Sequence, residues 1–160
     1  MDPLSTLCTS CGLCCDGSLF TQVPLSADEV ALLRRRGLPL LVNGERRALT
    51  QRCAALAGSS CTIYEERPEG CRRYRCMLHA ALAGDEVGLE EALALARQTH
   101  ALLGALAEAL PPGPGAPLQR GRAEARAGTL TASASAALAA AARQIGRYFD
   151  REAGRVATTG

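Results

Sequence analysis

The stretch Cys8-Thr9-Ser10-Cys11-Gly12-Leu13-Cys14-Cys15 contains four of the chain's eight cysteines and decides how the rest of the sequence is interpreted. Its spacing is C-x2-C-x2-C-C. A C-x2-C step lets a tight turn direct two thiolates at one metal ion, and Gly12 can adopt the left-handed backbone that such a turn often needs. Three cysteines at successive C-x2 steps also match how bacterial ferredoxins present three ligands to one 4Fe–4S cluster. The stretch therefore predicts a metal-binding loop.

The other four cysteines follow at wider spacing: Cys53, Cys61, Cys71 and Cys76. The N-terminus has neither a basic segment nor an apolar segment of the kind that begins a secretion signal, so we expect a cytoplasmic protein. Disulfides are rare in a reducing compartment, and eight buried structural thiols at these spacings would be unusual. We therefore predict that all eight cysteines bind metal, as one group of four on the N-terminal loop and a second group of four further along.

The identity of the metal has two readings. Eight thiolates would satisfy two tetrahedral zinc sites of four cysteines each. They would equally satisfy a 4Fe–4S cluster held by Cys8, Cys11, Cys14 and a distant fourth cysteine, with the remainder at a second centre or free. The predicted cofactor is thus zinc or iron, the latter as an ion or as an iron–sulfur cluster.

The charge pattern limits the classes of partner. The chain has 18 basic residues, all arginine, against 16 acidic residues, so its net charge is only +2. This argues against a nucleic-acid partner, and the apolar stretches are too short to predict a membrane partner. A protein or a small molecule remains the expected partner. Several arginines surround Cys71 and Cys76, and Arg67 and Arg72 are the candidates to offset thiolate charge or to bind an anion.

The fold class predicted from the sequence is α+β and mostly helical. Ser26 and Glu29 form a capping-box pattern that predicts a helix over residues 27–36, preceded by extended chain. Residues 47–65 resemble a hairpin in which Cys53 lies opposite Cys61. Pro68 and Gly84 then predict one helix that runs from residue 68 to about residue 83.

The second half of the chain has a different pattern. Leucines at helical spacing predict an amphipathic helix over about residues 85–110, and Pro111 to Gly115 stop it. We predict three parts: a small irregular cysteine-rich metal-binding domain with a short hairpin and the Leu-rich helix (1–110), a Pro/Gly linker (111–122), and an Ala-rich tail (123–160). The tail is expected to form one further helix, with its end frayed from Ala153.

Two of these motifs resemble a known family. The N-terminal cysteine run and the segment from Cys61 to Cys76, which reads C-T-I-Y-E-E-R-P-E-G-C-R-R-Y-R-C, are similar to the YkgJ-type cysteine-cluster family. The entry to the helix at Leu25 to Glu29 is similar as well. The resemblance covers about residues 7–100 and includes all eight cysteines. It implies a domain that chelates zinc or iron, with Arg67 and Arg72 inside the shared motif.

Three functions follow from these observations. The first is a cytoplasmic metal-binding protein whose fold depends on its metal. The second is an iron–sulfur redox or protein-modifying enzyme, suggested by the three-cysteine run and the arginine cluster. The third is an interaction module in which zinc supports the fold and the helices from residue 85 onward bind a partner. The sequence contains no recognisable nucleophilic triad, phosphate loop or carboxylate pair, so it assigns no catalytic residue.

Overall fold

The computed structural model describes residues 1–150, which divide into two compact units. The sheet unit is Gly12–Tyr74. The helical unit combines Met1–Cys11 with the described chain from Arg75 onward. Taken together the elements form a mostly helical α+β fold, as predicted. The boundaries of these units do not fall at residues 110 and 122, where the sequence predicts domain boundaries. The predicted domain boundaries stay a prediction.

The sheet unit is built on a three-stranded antiparallel sheet. Strands β1 (Gln22–Pro24), β2 (Leu40–Asn43) and β3 (Arg46–Thr50) lie in the order β1-β3-β2. Asn43 pairs with Arg46, which leaves a two-residue turn in which Gly44 has a φ of +58°. The sequence analysis missed this hairpin, although glycine at the first position of a two-residue turn between strands is a known hairpin signal.

Helix α2 (Ala27–Arg35) confirms the capping-box prediction. The Glu29 backbone N–H donates to the Ser26 hydroxyl, and the Ser26 N–H donates to the Glu29 carboxylate. Val30 and Leu33 are buried on the inner face. The helix ends before Gly37, whose φ of +73° is the left-handed conformation expected just past a helix end.

The predicted pairing of Cys53 with Cys61 is wrong. The hairpin exists, as strands β4 (Leu56–Ala57) and β5 (Ser60–Cys61), but Cys61 lies opposite Leu56. The turn is centred on Gly58 and Ser59 rather than on Ala57, and Gly58 supplies the positive φ of +62°. A shift in the centre of a tight turn changes every cross-strand partner, which is why the predicted pair failed.

The single helix predicted for residues 68–83 is also wrong. A short 3-10 helix (Tyr64–Glu66) precedes two separate helices, α3 (Glu69–Arg73) and α4 (Met77–Ala83). Tyr74 is extended at the break, and its ring packs edge-on against Phe20 with 4.9 Å between ring centroids. Cys76 is the N-cap of α4, and its Sγ accepts the His79 N–H at 3.3 Å. Tertiary packing of Tyr74 and capping by Cys76 therefore divide the predicted helix.

The helical unit is organised around the long helix α5 (Leu89–Ala109), which confirms the Leu-rich helix. It packs against α1 (Pro3–Cys11), α4, α6 (Pro117–Ala127) and α7 (Ala132–Tyr148). Its buried face includes Ala92, Ala96, Thr99, Leu103 and Leu106.

Two features of the helical unit differ from the sequence interpretation. Helix α6 begins inside the predicted linker, of which only residues 111–116 are irregular, and α7 confirms the one tail helix that was expected. Cys8 and Cys11, predicted on a loop, lie in α1. The frayed end predicted from Ala153 lies outside the described residues. Over residues 1–150, no helix has both the length and the apolar character needed to cross a membrane.

Candidate metal centre

The fold distributes the cysteines differently from their order in the sequence. All eight are free thiols. Cys8, Cys11 and Cys76 belong to the helical unit, whereas the sheet unit contains the other five: Cys14, Cys15, Cys53, Cys61 and Cys71. The two units therefore cut across the two groups of four expected from the sequence, since Cys14 and Cys15 lie with the later cysteines and Cys76 lies with Cys8 and Cys11. The grouping of the eight cysteines as metal ligands stays a prediction.

A tight turn after α1 positions Cys14 and Cys15. Gly12 has the predicted positive φ, at +66°, and its carbonyl oxygen accepts the N–H groups of Cys15 at 2.9 Å and Asp16 at 3.0 Å. A Cβ atom at Gly12 would lie 2.7 Å from the Ser59 carbonyl oxygen. Glycine is thus required here both by backbone conformation and by the close approach of the β4–β5 turn.

A backbone hydrogen bond joins this turn to the second cysteine segment. The Cys53 N–H donates to the Cys15 carbonyl oxygen at 2.8 Å, and the Gln51 N–H donates to the Thr21 carbonyl oxygen at 2.9 Å. The bond from Gln51 continues the β1–β3 pairing by one residue pair beyond Thr50, whereas the bond from Cys53 lies outside that register and joins the chain after β3 to the turn after α1. Two cysteines that are 38 positions apart in the sequence thereby become neighbours.

Four thiols share one apolar cluster in the sheet unit. Cys53 is only 5% exposed and is part of the buried core, together with residues of the sheet and of α2 such as Leu33 and Leu49. Cys15, Cys61 and Cys71 are partly buried and pack against the same core. Each arrives by a different element: the turn after α1, strand β5 and helix α3. We call these four residues the thiol cluster.

The environment of the cluster disfavours thiolates in the absence of a cation. Burial raises the pKa of Cys53 and of Cys61, and it raises the pKa of Cys71 to about 12. The charges of the other three thiolates in the cluster are, after burial, the second contribution to this raised pKa of Cys71. Cys15 differs, because a hydrogen bond from the Cys14 side chain lowers its pKa. The four sulfur atoms therefore interact electrostatically and would gain from a shared positive charge.

Arg67 supplies positive charge to this cluster. Its cation lowers the pKa of Cys15, Cys61 and Cys71, in each case after larger effects. The guanidinium carbon lies 3.6 Å from the centroid of the Tyr64 ring, which is a cation–π contact.

Arg72 has a different role from Arg67. Its Nε donates to the Arg67 carbonyl oxygen at 2.8 Å, and its Nη2 donates to the Glu65 carbonyl oxygen. It therefore braces the backbone of the segment that contains Arg67. The sequence named both arginines as candidates to offset thiolate charge or to bind an anion, and that role stays a prediction for each.

Three cysteines lie in the helical unit. Cys8 and Cys11 are three residues apart on α1 and so share one face of that helix. Burial raises the pKa of Cys76, which begins α4, a helix that packs against α1. His100, treated in the sequence as an ordinary helix residue, donates from Nε2 to the Cys11 carbonyl oxygen at 2.6 Å. No sequence signal relates two residues that are 89 positions apart.

The donor chemistry of the thiol cluster suits a thiophilic metal. Four cysteine sulfur atoms are the ligand set of structural zinc sites and of iron–sulfur proteins. Within residues 1–150, no three or more His, Cys, Asp or Glu side chains already form a group that could hold a metal ion. A metal would therefore have to draw the four thiols closer together than they lie in this structure.

A family model matches residues 7–97 and is described as "CxxCxxCC: Putative zinc- or iron-chelating domain". The chain belongs to the CxxCxxCC family. The match covers more than half of the sequence and includes all eight cysteines, as well as Arg67 and Arg72. Neither a curated protein nor a solved structure matches this CxxCxxCC protein. The family description supports a metal-binding, cysteine-rich protein.

Proposed function

We propose that this CxxCxxCC protein binds a zinc or iron ion through the thiol cluster, Cys15, Cys53, Cys61 and Cys71. The observation that carries the proposal is the packing of four cysteines from separate elements on one apolar core. Ordinary packing does not need four thiols in electrostatic contact, since each raises the cost of ionising its neighbours. A divalent cation reverses that cost, because metal binding deprotonates thiols and holds them as thiolates.

The metal would act on the fold of the sheet unit. Zinc has no redox chemistry of its own and in such sites supplies folding free energy. Cys53 would anchor it from the core, Cys71 from α3, Cys15 from the turn after α1 and Cys61 from β5. Arg67 would offset one of the two negative charges that remain when four thiolates bind a divalent ion. We also propose that the protein is cytoplasmic, where thiols stay reduced.

Metal analysis of cysteine variants tests the proposal. Protein purified without oxygen is expected to contain at least one equivalent of zinc or iron by elemental analysis. Cys53→Ser and Cys71→Ser should lose that metal, because each removes one thiolate of the thiol cluster. Cys8→Ser and Cys76→Ser are matched controls in the helical unit and should retain it. Less than one equivalent of transition metal in the parent protein, or equal loss in all four variants, would contradict the proposal.

An absorbance spectrum of the same sample separates a metal ion from an iron–sulfur cluster. An iron–sulfur form should be coloured through charge-transfer bands that dithionite bleaches, and a zinc form should be colourless. A second centre in the helical unit is the other candidate, supported by Cys8 and Cys11 on one face of α1 and by the packing of α1 against α4. That centre would instead be lost in Cys8→Ser and Cys76→Ser.

A further inference from the structure

A backbone hydrogen bond limits the distance between two members of the thiol cluster. The Cys53 N–H donates to the Cys15 carbonyl oxygen at 2.8 Å. The bond from the Gln51 N–H to the Thr21 carbonyl oxygen holds the chain just before Cys53, and the close packing of Gly12 against Ser59 holds the turn just before Cys15. Covalent and hydrogen-bond lengths place the Cα atoms of two residues joined in this way roughly 4.5–6.5 Å apart. The Cα separation of Cys15 and Cys53 therefore depends on the main chain and not on side-chain rotamers.

That separation suits a disulfide. Disulfide-bonded cysteines usually have Cα atoms roughly 4.4–6.8 Å apart. The adjacent pair Cys14 and Cys15 falls outside this range, because consecutive Cα atoms are about 3.8 Å apart. Cys61 is opposed in register by Leu56 rather than by another cysteine. Main-chain geometry therefore favours Cys15 with Cys53.

We propose that Cys15 and Cys53 form a disulfide when a peroxide oxidises the protein, and that this bond releases the metal of the thiol cluster. The disulfide depends only on the separation of Cys15 and Cys53. The release of metal rests on the proposed function, since it assumes that the four thiols bind a metal. A disulfide sulfur is no longer a thiolate, so only Cys61 and Cys71 would remain as ligands.

The chemistry balances with hydrogen peroxide as the oxidant. Cys15 reacts first because it is partly exposed, whereas Cys53 is buried. The Cys15 sulfur attacks one peroxide oxygen, the O–O bond breaks, and the products are a sulfenic acid and water. The Cys53 sulfur then attacks the Cys15 sulfur, the S–S bond forms, and the S–O bond breaks to release a second water. Two thiols lose two electrons and two protons, and the peroxide is reduced to two waters.

Peptide mapping of the oxidised full-length chain tests the disulfide. The protein as purified, without prior metal removal, is treated with hydrogen peroxide, its remaining thiols are alkylated, and it is digested with trypsin. Residues 1–34 form one tryptic peptide, and residues 53–72 form another because Pro68 protects the bond after Arg67. A Cys15–Cys53 disulfide joins these two peptides, whereas a bond between Cys14 and Cys15, or between Cys53 and Cys61, joins none. Fragmentation of the joined species should place the bond at Cys15 and Cys53.

Variants and metal release complete the test. Cys53→Ser should abolish the joined species, and the matched variant Cys61→Ser should retain it. If Cys53→Ser does not fold, the fragmentation of the parent protein still decides the question. Absence of the joined species, or its linkage at any other pair of cysteines, overturns the inference.

Metal release tests the consequence of the disulfide. The amount of metal released, detected with a chromogenic chelator, should rise in step with the joined species. A joined species in a protein that binds no metal would refute the proposed function and leave the disulfide intact.

Discussion

The helical unit and the sheet unit bury their interiors in different ways. Helix α5 has 21 residues and packs against four other helices, whereas the longest strand of the sheet unit has five residues. The core of the helical unit includes large aliphatic side chains such as Leu106 and Ile145, both at most 1% exposed. The core of the sheet unit includes Cys53, and three further cysteines pack on it. Large aliphatic side chains thus stabilise the core of the helical unit, whereas the core of the sheet unit includes cysteine thiols that can bind a metal.

The difference has an energetic reason. The sheet unit, residues 12–74, lies near the size at which a single apolar core becomes marginal, about 60 residues. Its strands are short and its second hairpin has only two residues in each strand. Structural zinc contributes on the order of 10 kcal/mol in small domains of this kind. A metal at the thiol cluster would therefore matter most where the apolar core is weakest.

Removal of the metal should give the largest effect and should be confined to the sheet unit. Chelation is expected to destabilise this unit by up to about 10 kcal/mol, the magnitude of structural metal binding. Hydrogen exchange measured by mass spectrometry should then show loss of protection in β3 and retention of protection in α5. Equal loss in both elements would show that the two units do not differ in this way.

Leu106→Ala should give the next largest effect, and should act on the helical unit. Leu106 is completely buried on α5, and truncating a buried leucine costs about 3 kcal/mol. Chemical denaturation monitored by circular dichroism should show this loss, while metal content remains that of the parent protein. Leu102→Ala is the matched control on the same helix and should cost less, because Leu102 is only partly buried. A loss of metal in Leu106→Ala would contradict the distinction between the units.

Gly12→Ala should give the smallest of the three effects, and it compares two left-handed glycines within the sheet unit. Its left-handed φ and the contact of the new Cβ with the Ser59 carbonyl oxygen should together cost about 2 kcal/mol. Gly58→Ala is the matched control, since Gly58 has a φ of +62° but no atom within 4 Å of a Cβ. It should cost only about 1 kcal/mol, measured in the same denaturation experiment. Equal costs would show that the close approach to Ser59 is unimportant.

Local signals predicted the helices well and the cysteine region poorly. The capping box at Ser26 and Glu29, the amphipathic α5 and the terminal helix α7 depend on residues within a few turns of one another, so their sequences contain the whole signal. The partners of Cys61 and the break at Tyr74 depend on a turn centre and on a ring contact with Phe20. Such contacts are non-local, and spacing along the chain cannot specify them.

The sequence alone determined the family, the mostly helical α+β class, the left-handed Gly12 and the cysteines as the residues that bear the chemistry. These follow from residue type and short-range spacing. Tertiary structure alone decided that Cys15 packs on the same core as Cys53, Cys61 and Cys71, that Cys76 lies in the helical unit, and that the Arg67 cation lowers the pKa of thiols in the cluster. The physical reason is that antiparallel pairing and core packing join segments that are far apart in the chain. The spacing of the cysteines along the sequence does not predict which segments are joined.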